Sequence, residues 1–499
     1  MYGISDILLN DKIIIVGGGS AGWMTAATLE SQFPNYNISL IESKNIKTIG
    51  VGESTLQPIQ QWMTLLGIKD SDFLKHVDGS YKLSIKFTDF YKKGEYFHYP
   101  FGFPEIEKNQ ASLNDWWFKK FVYPDTPNSD YADCIYPTQM AFINQNKFNP
   151  QLRHAYHFDA TKFGLWLKNN YCKKTKHILE DIKTIEKNED GIVSLNKKHK
   201  ADLYIDCTGF ESLLLGKTLE EPFDSYSDML PNDSAWATKI NYKNKKKELV
   251  PYTNCTAIEN GWVWNIPLWS RIGTGYVYSS KFVDDETALK QFKKFLKKDD
   301  IEAHKIKMKV GLHKRLWVKN VVAIGLSAGF IEPLESNGLF TVHEFLMKLI
   351  RNLSRGDFSQ WDRDNFNYAC KRLFKSFAEF VALHYALSHR NDTPYWRHCL
   401  NKTWSSDLID LKQSHIKGFQ GAAFDRDVSY HHDPTGGLHC IAAGMNWSPT
   451  DIYSLKRVGG YNENNFKDIS KNLDNSKKNA LINIKKESSI LDYLKKIHN

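Results

Sequence analysis

An apolar run, Ile13-Ile14-Ile15-Val16, leads directly into Gly17-Gly18-Gly19-Ser20-Ala21-Gly22, and no other stretch restricts the fold so strongly. The pattern predicts a strand over 13–16, a tight glycine turn, a helix through 23–29 and a second strand over 38–41 ending at Glu42. Strand, turn, helix and strand make one parallel βαβ unit. Each glycine has a physical task. Gly17 permits the turn, Gly19 lets the backbone approach a pyrophosphate, and Gly22 lets helix pack on strand. The amides of the helix start, those of Ser20 and Ala21 among them, face the phosphates. Glu42, twenty positions after Gly22, is placed to accept hydrogen bonds from a ribose diol, which points to an adenosine ribose without a 2′-phosphate. Glycine turns without ligands also exist; strand, helix and acid in register are what favour a dinucleotide.

A single motif of this kind near the start of a 499-residue chain suits a permanently held FAD better than NAD. Asp206-Cys207-Thr208-Gly209 and Gly325-Leu326-Ser327-Ala328-Gly329 read either as two further strand-end turns serving a long cofactor or as ordinary sheet-to-loop turns. Strands over 201–205 and 321–324 precede them and are expected to rejoin the first sheet. Aromatic alternation in 81–90 and 262–266 predicts a second, largely antiparallel sheet. Beyond residue 340 the pattern is mostly helical, beginning with a helix over 339–353. The expected organisation is an interwoven core over 1–345, holding the FAD and substrate sheets. A helical substrate lobe over 346–460 packs on it. A Lys/Asn-rich surface tail over 461–499 follows, with a terminal helix over 490–497.

Composition excludes several classes. With 41% hydrophobic and 25% charged residues the chain is globular and not disordered. No apolar run reaches the roughly 18 residues that cross a bilayer, so no membrane partner is expected. The opening MYGISDILLN lacks the basic and apolar regions of a secretion signal. Seven scattered cysteines without metal-type spacing read as reduced, buried thiols of a cytoplasmic protein, and no metal is expected. The net charge of +9 collects in runs such as 245–247 and 293–298. No nucleic-acid-binding motif accompanies it, so solvated lysine is the better reading.

At this point the chain resembles the flavin-dependent halogenases of the tryptophan-halogenase type. The shared stretches are Gly17–Gly22, Gly50-Val51-Gly52-Glu53-Ser54-Thr55, Tyr81-Lys82 with Lys86-Phe87, Trp262-x-Trp264-x-Ile266-Pro267 and Gly329-Phe330-Ile331-Glu332-Pro333-Leu334-Glu335-Ser336. Tyr156-His157-Phe158-Asp159 and Asp392-Thr393-Pro394-Tyr395-Trp396 also match. The tryptophan pattern and the Pro-Leu-Glu-Ser segment are the specific ones.

The resemblance implies an α/β protein with an FAD-binding, Rossmann-like flavin monooxygenase fold, an antiparallel substrate sheet and a mostly helical C-terminal lobe. It matches Glu53, Ser54, Ile182, Leu326 and Leu339 to FAD contacts, beside Gly17, Gly19, Gly22 and Glu42. It places Lys82 at the catalytic lysine position and Glu335 beside it as the catalytic carboxylate. In 81–87 alternation puts Lys82, Ser84 and Lys86 on one face, which by periodicity alone is a solvated face; the family reading has Lys86 support the site by charge. The amides of Asn337 and Gly338, at the start of a helix, are expected to hold a halide. The family carries Thr where this chain has Asn337. Tyr99, Phe101 and Ser336 are expected to meet the substrate, with His98 standing one position from where the family places a histidine. Trp262 and Trp264 face one side of a strand, as core or as a wall between flavin and substrate; Trp447 reads as core.

The implied activity is FADH2- and O2-dependent. Hypohalous acid made at the flavin passes to an electron-rich, indole- or phenol-like ring. FADH2 comes from a separate flavin reductase, since no second nucleotide motif serves NAD(P)H. A homo-oligomer is expected. The rivals are a flavin-dependent aromatic hydroxylase and a non-catalytic flavin- or nucleic-acid-binding protein.

Overall fold

A computed structural model describes residues 12–45, 52–105, 114–355, 359–404, 436–453, 455 and 466–499. Gly50 and Val51 of the second motif lie outside the described residues. Contacts divide the chain into two interleaved units. One comprises Met1–Gly79, Phe158–Asp228 and Lys307–Phe374, the other Ser80–His157, Met229–Ile306 and Lys375–Asn499.

The first unit is built on a six-stranded sheet in the order Trp317–Val318, Val321–Ala323, Leu203–Asp206, Lys12–Val16, Asn37–Glu42 and Lys176–Leu179. Its pairs are parallel except the short Trp317–Val318 edge. Ile13, Ile14 and Ile15 are all buried, so the strand reads as an unbroken apolar run because both of its faces are covered. Helix Ser20–Gln32 packs on Ala160–Tyr171 and Gly338–Leu353. The two distant strands expected to rejoin the sheet do so beside Lys12–Val16.

The second unit carries a seven-stranded sheet in the order His304–Lys307, Ser234–Ile240, Ile272–Tyr278, Gly261–Pro267, Tyr252–Ile258, Ser84–Thr88 and Tyr96–Pro100. It is antiparallel through its middle, and Ser84–Thr88 joins Tyr252–Ile258 in parallel. The aromatic run after residue 80 does not stay in one strand. Leu83 interrupts it, donating its amide to Pro251 and accepting at its carbonyl from Phe101. Ser80–Lys82 pairs instead with Ala155–Phe158, antiparallel.

Helices dominate after residue 340, as expected: Gly338–Leu353, Gln360–Ala386, Pro394–Asn401, Gly436–Gly444, Phe466–Asn483 and Ile490–His498. Ion pairs hold the tail. Lys119 and Lys477 both hold Asp130, at 2.9 and 2.6 Å, and both reach Asp474. That pairing keeps the Asp130 carboxyl down at about 2 against the opposing effect of burial. The seven cysteines are buried and free of disulfides. No helix among the described residues is long and apolar enough to cross a membrane.

Candidate active site

The glycine turn of the first unit is fixed by backbone contacts. Gly17 has φ +113, and a Cβ there would stand 2.2 Å from the Cys207 carbonyl oxygen. A Cβ on Gly22 would stand 1.9 Å from the Gly17 carbonyl. Gly19 differs: nothing lies within 4 Å of its missing side chain. It is also the N-cap of helix Ser20–Gln32, and no side chain caps that helix. Ser20 turns its hydroxyl to the Ala160 carbonyl at 3.0 Å, so its contribution toward Gly19 is its amide. Open backbone at an uncapped, 13-residue helix is a ready anion site.

Glu42 ends the second strand with its carboxylate over Gly18. His177 donates to it from Nε2 at 2.6 Å, which fixes one oxygen and the rotamer. Ile182 follows the adjoining strand, where Glu180 donates its amide to the Glu42 carbonyl at 3.0 Å. The two strand-end turns are knitted together. Ser327 donates its hydroxyl to the Asp206 carbonyl, and the Asp206 carboxylate accepts from the amides of Thr208, Leu214 and Leu215. Leu326, in the Gly325–Ser327 turn, is 40% exposed, an apolar side chain left in water at the end of a sheet strand. Ala21 packs against Gly325 of that turn. Open Gly19, uncapped amides and exposed Leu326 together fit a long, two-ended cofactor such as FAD.

The same unit brings Glu53 and Ser54 to the Pro-Leu-Glu-Ser segment. Ser336, at φ +59, donates its hydroxyl to Ser54 at 3.0 Å. Glu335 closes the turn Pro333–Glu335 and is fully buried. Helix Gly338–Leu353 then starts with Asn337 as its N-cap, again without a side-chain cap. Asn337 donates from Nδ2 to the Ile331 carbonyl at 3.3 Å, and Leu339 is buried in the first turn. The Glu53 carboxylate oxygen lies 3.5 Å from where a Cβ on Gly338 would stand. Burial, and then the neighbouring Asp159 charge, push the half-buried Glu53 up to about 7.

In the second unit Lys82 is 0% exposed, with its ammonium 5.1 Å from the Phe101 ring centre. Its strand pairs Ser80 with His157 and Lys82 with Ala155, so Lys82 and His157 are diagonal neighbours on one face. Ser80 commits its single proton to the Pro267 carbonyl, so it can only accept from His157 Nδ1 at 3.4 Å. His157 Nε2 therefore accepts from Thr253 at 2.8 Å. Burial, and then the Lys82 charge, hold His157 well below its usual range, so it is neutral. Pro267 ends the Trp262-x-Trp264 strand, which ties that strand to the lysine strand.

Comparison with known proteins now decides the family. A family model described as tryptophan halogenase matches residues 12–456. SttH, the tryptophan 6-halogenase of Streptomyces toxytricini, is 34% identical over 428 residues, 78% of this chain and 80% of its own length. KtzR, the 7-chloro-L-tryptophan 6-halogenase of Kutzneria sp. (strain 744), is 33% identical, covering 87% of this chain and 90% of its own. The structure of VirX1 superposes with a TM-score of 0.86 at 35% identity, over 97% of this chain and 99% of that one.

The chain belongs to the tryptophan halogenase family.

It is a flavin-dependent halogenase, an oxidoreductase acting on an aromatic ring, and the hydroxylase reading is not favoured. Of the residues expected to serve this halogenase, the first unit gathers the glycine turn with Glu42, Ile182 and Leu326. It separately gathers Glu53, Ser54, Glu335, Ser336, Asn337, Gly338 and Leu339. The second unit gathers Lys82 with Phe101, and Phe101 with Tyr99, whose rings meet edge to face at 5.9 Å. A missing side chain at Gly437 makes room for the Tyr99 hydroxyl.

Once Leu83 breaks the strand, Lys86 lies over Tyr96 at 4.0 Å and Lys82 over Phe101. Burial, and then the Lys86 charge, push His98 down to about 3, and His98 turns to Ser84 at 3.0 Å. Trp262 and Trp264 do share one face, with ring centres 6.1 Å apart, while Val263 enters a separate core with Tyr276 and Phe292. Gly275 leaves the space that the Trp264 ring fills. Trp447 is buried. Sequence reasoning missed His177, which sits on a four-residue strand without a pattern of its own. It quoted His157 as a family signature without giving it a task.

Proposed function

We propose that this halogenase takes reduced FAD from a separate reductase and transfers halogen to an indole- or phenol-like ring held by Lys82 and Glu335. The amides at Gly19, Ser20 and Ala21 would hold the pyrophosphate, Glu42 the ribose diol, and Leu326, Ile182, Glu53, Ser54 and Leu339 the rest of the cofactor. Bound reduced FAD, with O2 and halide, supplies electrophilic halogen as hypohalous acid. The main-chain amides of Asn337 and Gly338 bind the halide. The Lys82 ammonium orients the hypohalous acid against the ring as a compact donor, and as the O–halogen bond breaks the departing hydroxide is protonated to water. The Glu335 carboxylate stabilises the cationic ring and accepts its proton at Oε. Phe101 and Tyr99 pack on the ring, and Ser336 contacts it. Trp262 and Trp264 act by bulk, keeping the ring from the flavin. Seven buried free thiols suit work in the cytoplasm.

The observation that supports this reading most is the full burial of Lys82 between Phe101 and a histidine held neutral. A buried ammonium is costly in a fold and is kept where its charge is used. The test supplies enzymatically reduced FAD, O2, bromide and a panel of indoles and phenols. A bromine isotope doublet in the product mass is expected; hydroxylated product alone would refute the reading.

A further inference from the structure

Helix Ile490–His498 lies beyond the stretch 12–456 matched by the family model and holds none of the residues assigned above to cofactor, halide or ring. It nevertheless stands directly behind the lysine strand. The Tyr493 ring meets Phe148 at 5.0 Å and Tyr81 at 5.9 Å, both edge to face, and Tyr81 and Phe148 are themselves stacked at 3.9 Å. Tyr81 precedes Lys82 in the strand, so alternation sends the two side chains to opposite faces. One face presents the ammonium to Phe101; the other rests on the tail.

The docking is specific in its backbone as well. Lys147 and Ser489 form an antiparallel bridge, Ile490 donates its amide to the Asn146 carbonyl at 2.9 Å, and Phe148 donates to that of Ser488 at 3.2 Å. Ile490 and Leu494 are fully buried beneath the helix. At its far end His498 stacks on Trp269 at 4.5 Å, two residues after the Pro267 carbonyl that receives the Ser80 hydroxyl. The lysine strand is only three residues long and stops at the Leu83 break, so pairing alone gives it little stiffness. Its lateral position comes from what is packed behind it.

We infer that helix Ile490–His498 is a brace that sets the position of Lys82, with Tyr493 as the positioning residue. The inference rests on the reading of Lys82 as the amine that handles the oxidant. A side chain remote from chemistry matters to the degree that it moves the reacting group, and a displacement of about 1 Å is enough to cost on the order of 10²-fold.

The test separates oxidant made from oxidant used. Full-length enzyme receives reduced FAD, O2 and bromide. Bromination of indole, or of the best ring from the panel above, is read against free hypobromite trapped by phenol red. Tyr493→Ala should lower kcat for ring bromination about tenfold, with FAD affinity unchanged and trapped hypobromite risen. Tyr493→Phe, which keeps the ring edge, should restore the ratio. Should Tyr493→Ala fail to fold, Tyr493→Leu, which keeps volume without the ring, is read by the same ratio. Lys477→Met loosens the neighbouring tail helix and should lower stability while leaving the ratio alone. An unchanged ratio in the Tyr493 variant that folds, or an equal change in Lys477→Met, overturns the brace. Lys82→Ala is run beside them. If it keeps ring bromination, the assignment of Lys82 has failed; if it loses bromination and the Tyr493 variant does not, the brace alone has failed.

Discussion

The glycine turn of the first unit is made of backbone and the surroundings of Lys82 in the second of buried side chains. In the first unit the decisive groups are amides that no side chain caps and a glycine with open space in front of it. In the second they are an ammonium, a neutral imidazole and aromatic rings, each placed by what packs around it. A site made of backbone is damaged by adding atoms, and a site made of side chains by removing them. On the proposed function the difference also marks a division of labour, since amides attract anions of many shapes while a single ammonium must meet one ring atom.

Four substitutions sharpen or break that contrast. Glu335→Gln keeps shape and removes charge, and should lower ring halogenation about 10²-fold with FAD binding intact, measured by product formation at saturating cofactor. Gly17→Ala forces a side chain onto left-handed backbone against the Cys207 carbonyl. It should cost about 3 kcal/mol of stability, read by denaturant unfolding, and lose FAD as a consequence. Gly19→Ala meets nothing within 4 Å. It should therefore leave the stability of the cofactor-free protein within about 0.5 kcal/mol while weakening FAD binding, and equal damage in the two glycine variants would break the backbone account.

The fourth concerns pH. Glu53 is raised to about 7, so the folded protein binds a proton that the unfolded chain releases near 4.5. Stability is thus greatest below about 4.5 for this group and falls as pH rises toward 7. Glu53→Gln removes that dependence and should gain about 2 kcal/mol over wild type at pH 8 and nothing at pH 4.5, measured by unfolding across the range. A constant difference between the two proteins would place the strain elsewhere.

The two sides also differed in how far they could be read from residues alone. The glycine turn was legible because its spacing is local: Gly17 donates its amide to Ile41, Gly22 packs on the Gly17 carbonyl and Glu42 ends the paired strand, all within one βαβ unit. The helix start at Gly338 and the shared face of Trp262 and Trp264 were legible for the same reason. The break at Leu83 was not legible because alternation in 81–87 continues unbroken through it while the hydrogen bonding changes partner there. Period carries no information about which sheet a residue joins. His177 and Tyr493 were invisible because their roles depend on partners about 135 and 410 positions away, and nothing near either residue announces them. Lys477 in the tail resembles solvated charge until it is seen sharing Asp130 with Lys119.

The central claim is that oxidant is made on one side and spent on the other, and Lys82→Ala tests it most directly. With reduced FAD, O2 and bromide, the variant should consume oxygen as wild type does and release more trappable hypobromite, with brominated ring product absent. Ring product persisting at the wild-type rate, or hypobromite vanishing together with it, would contradict the account.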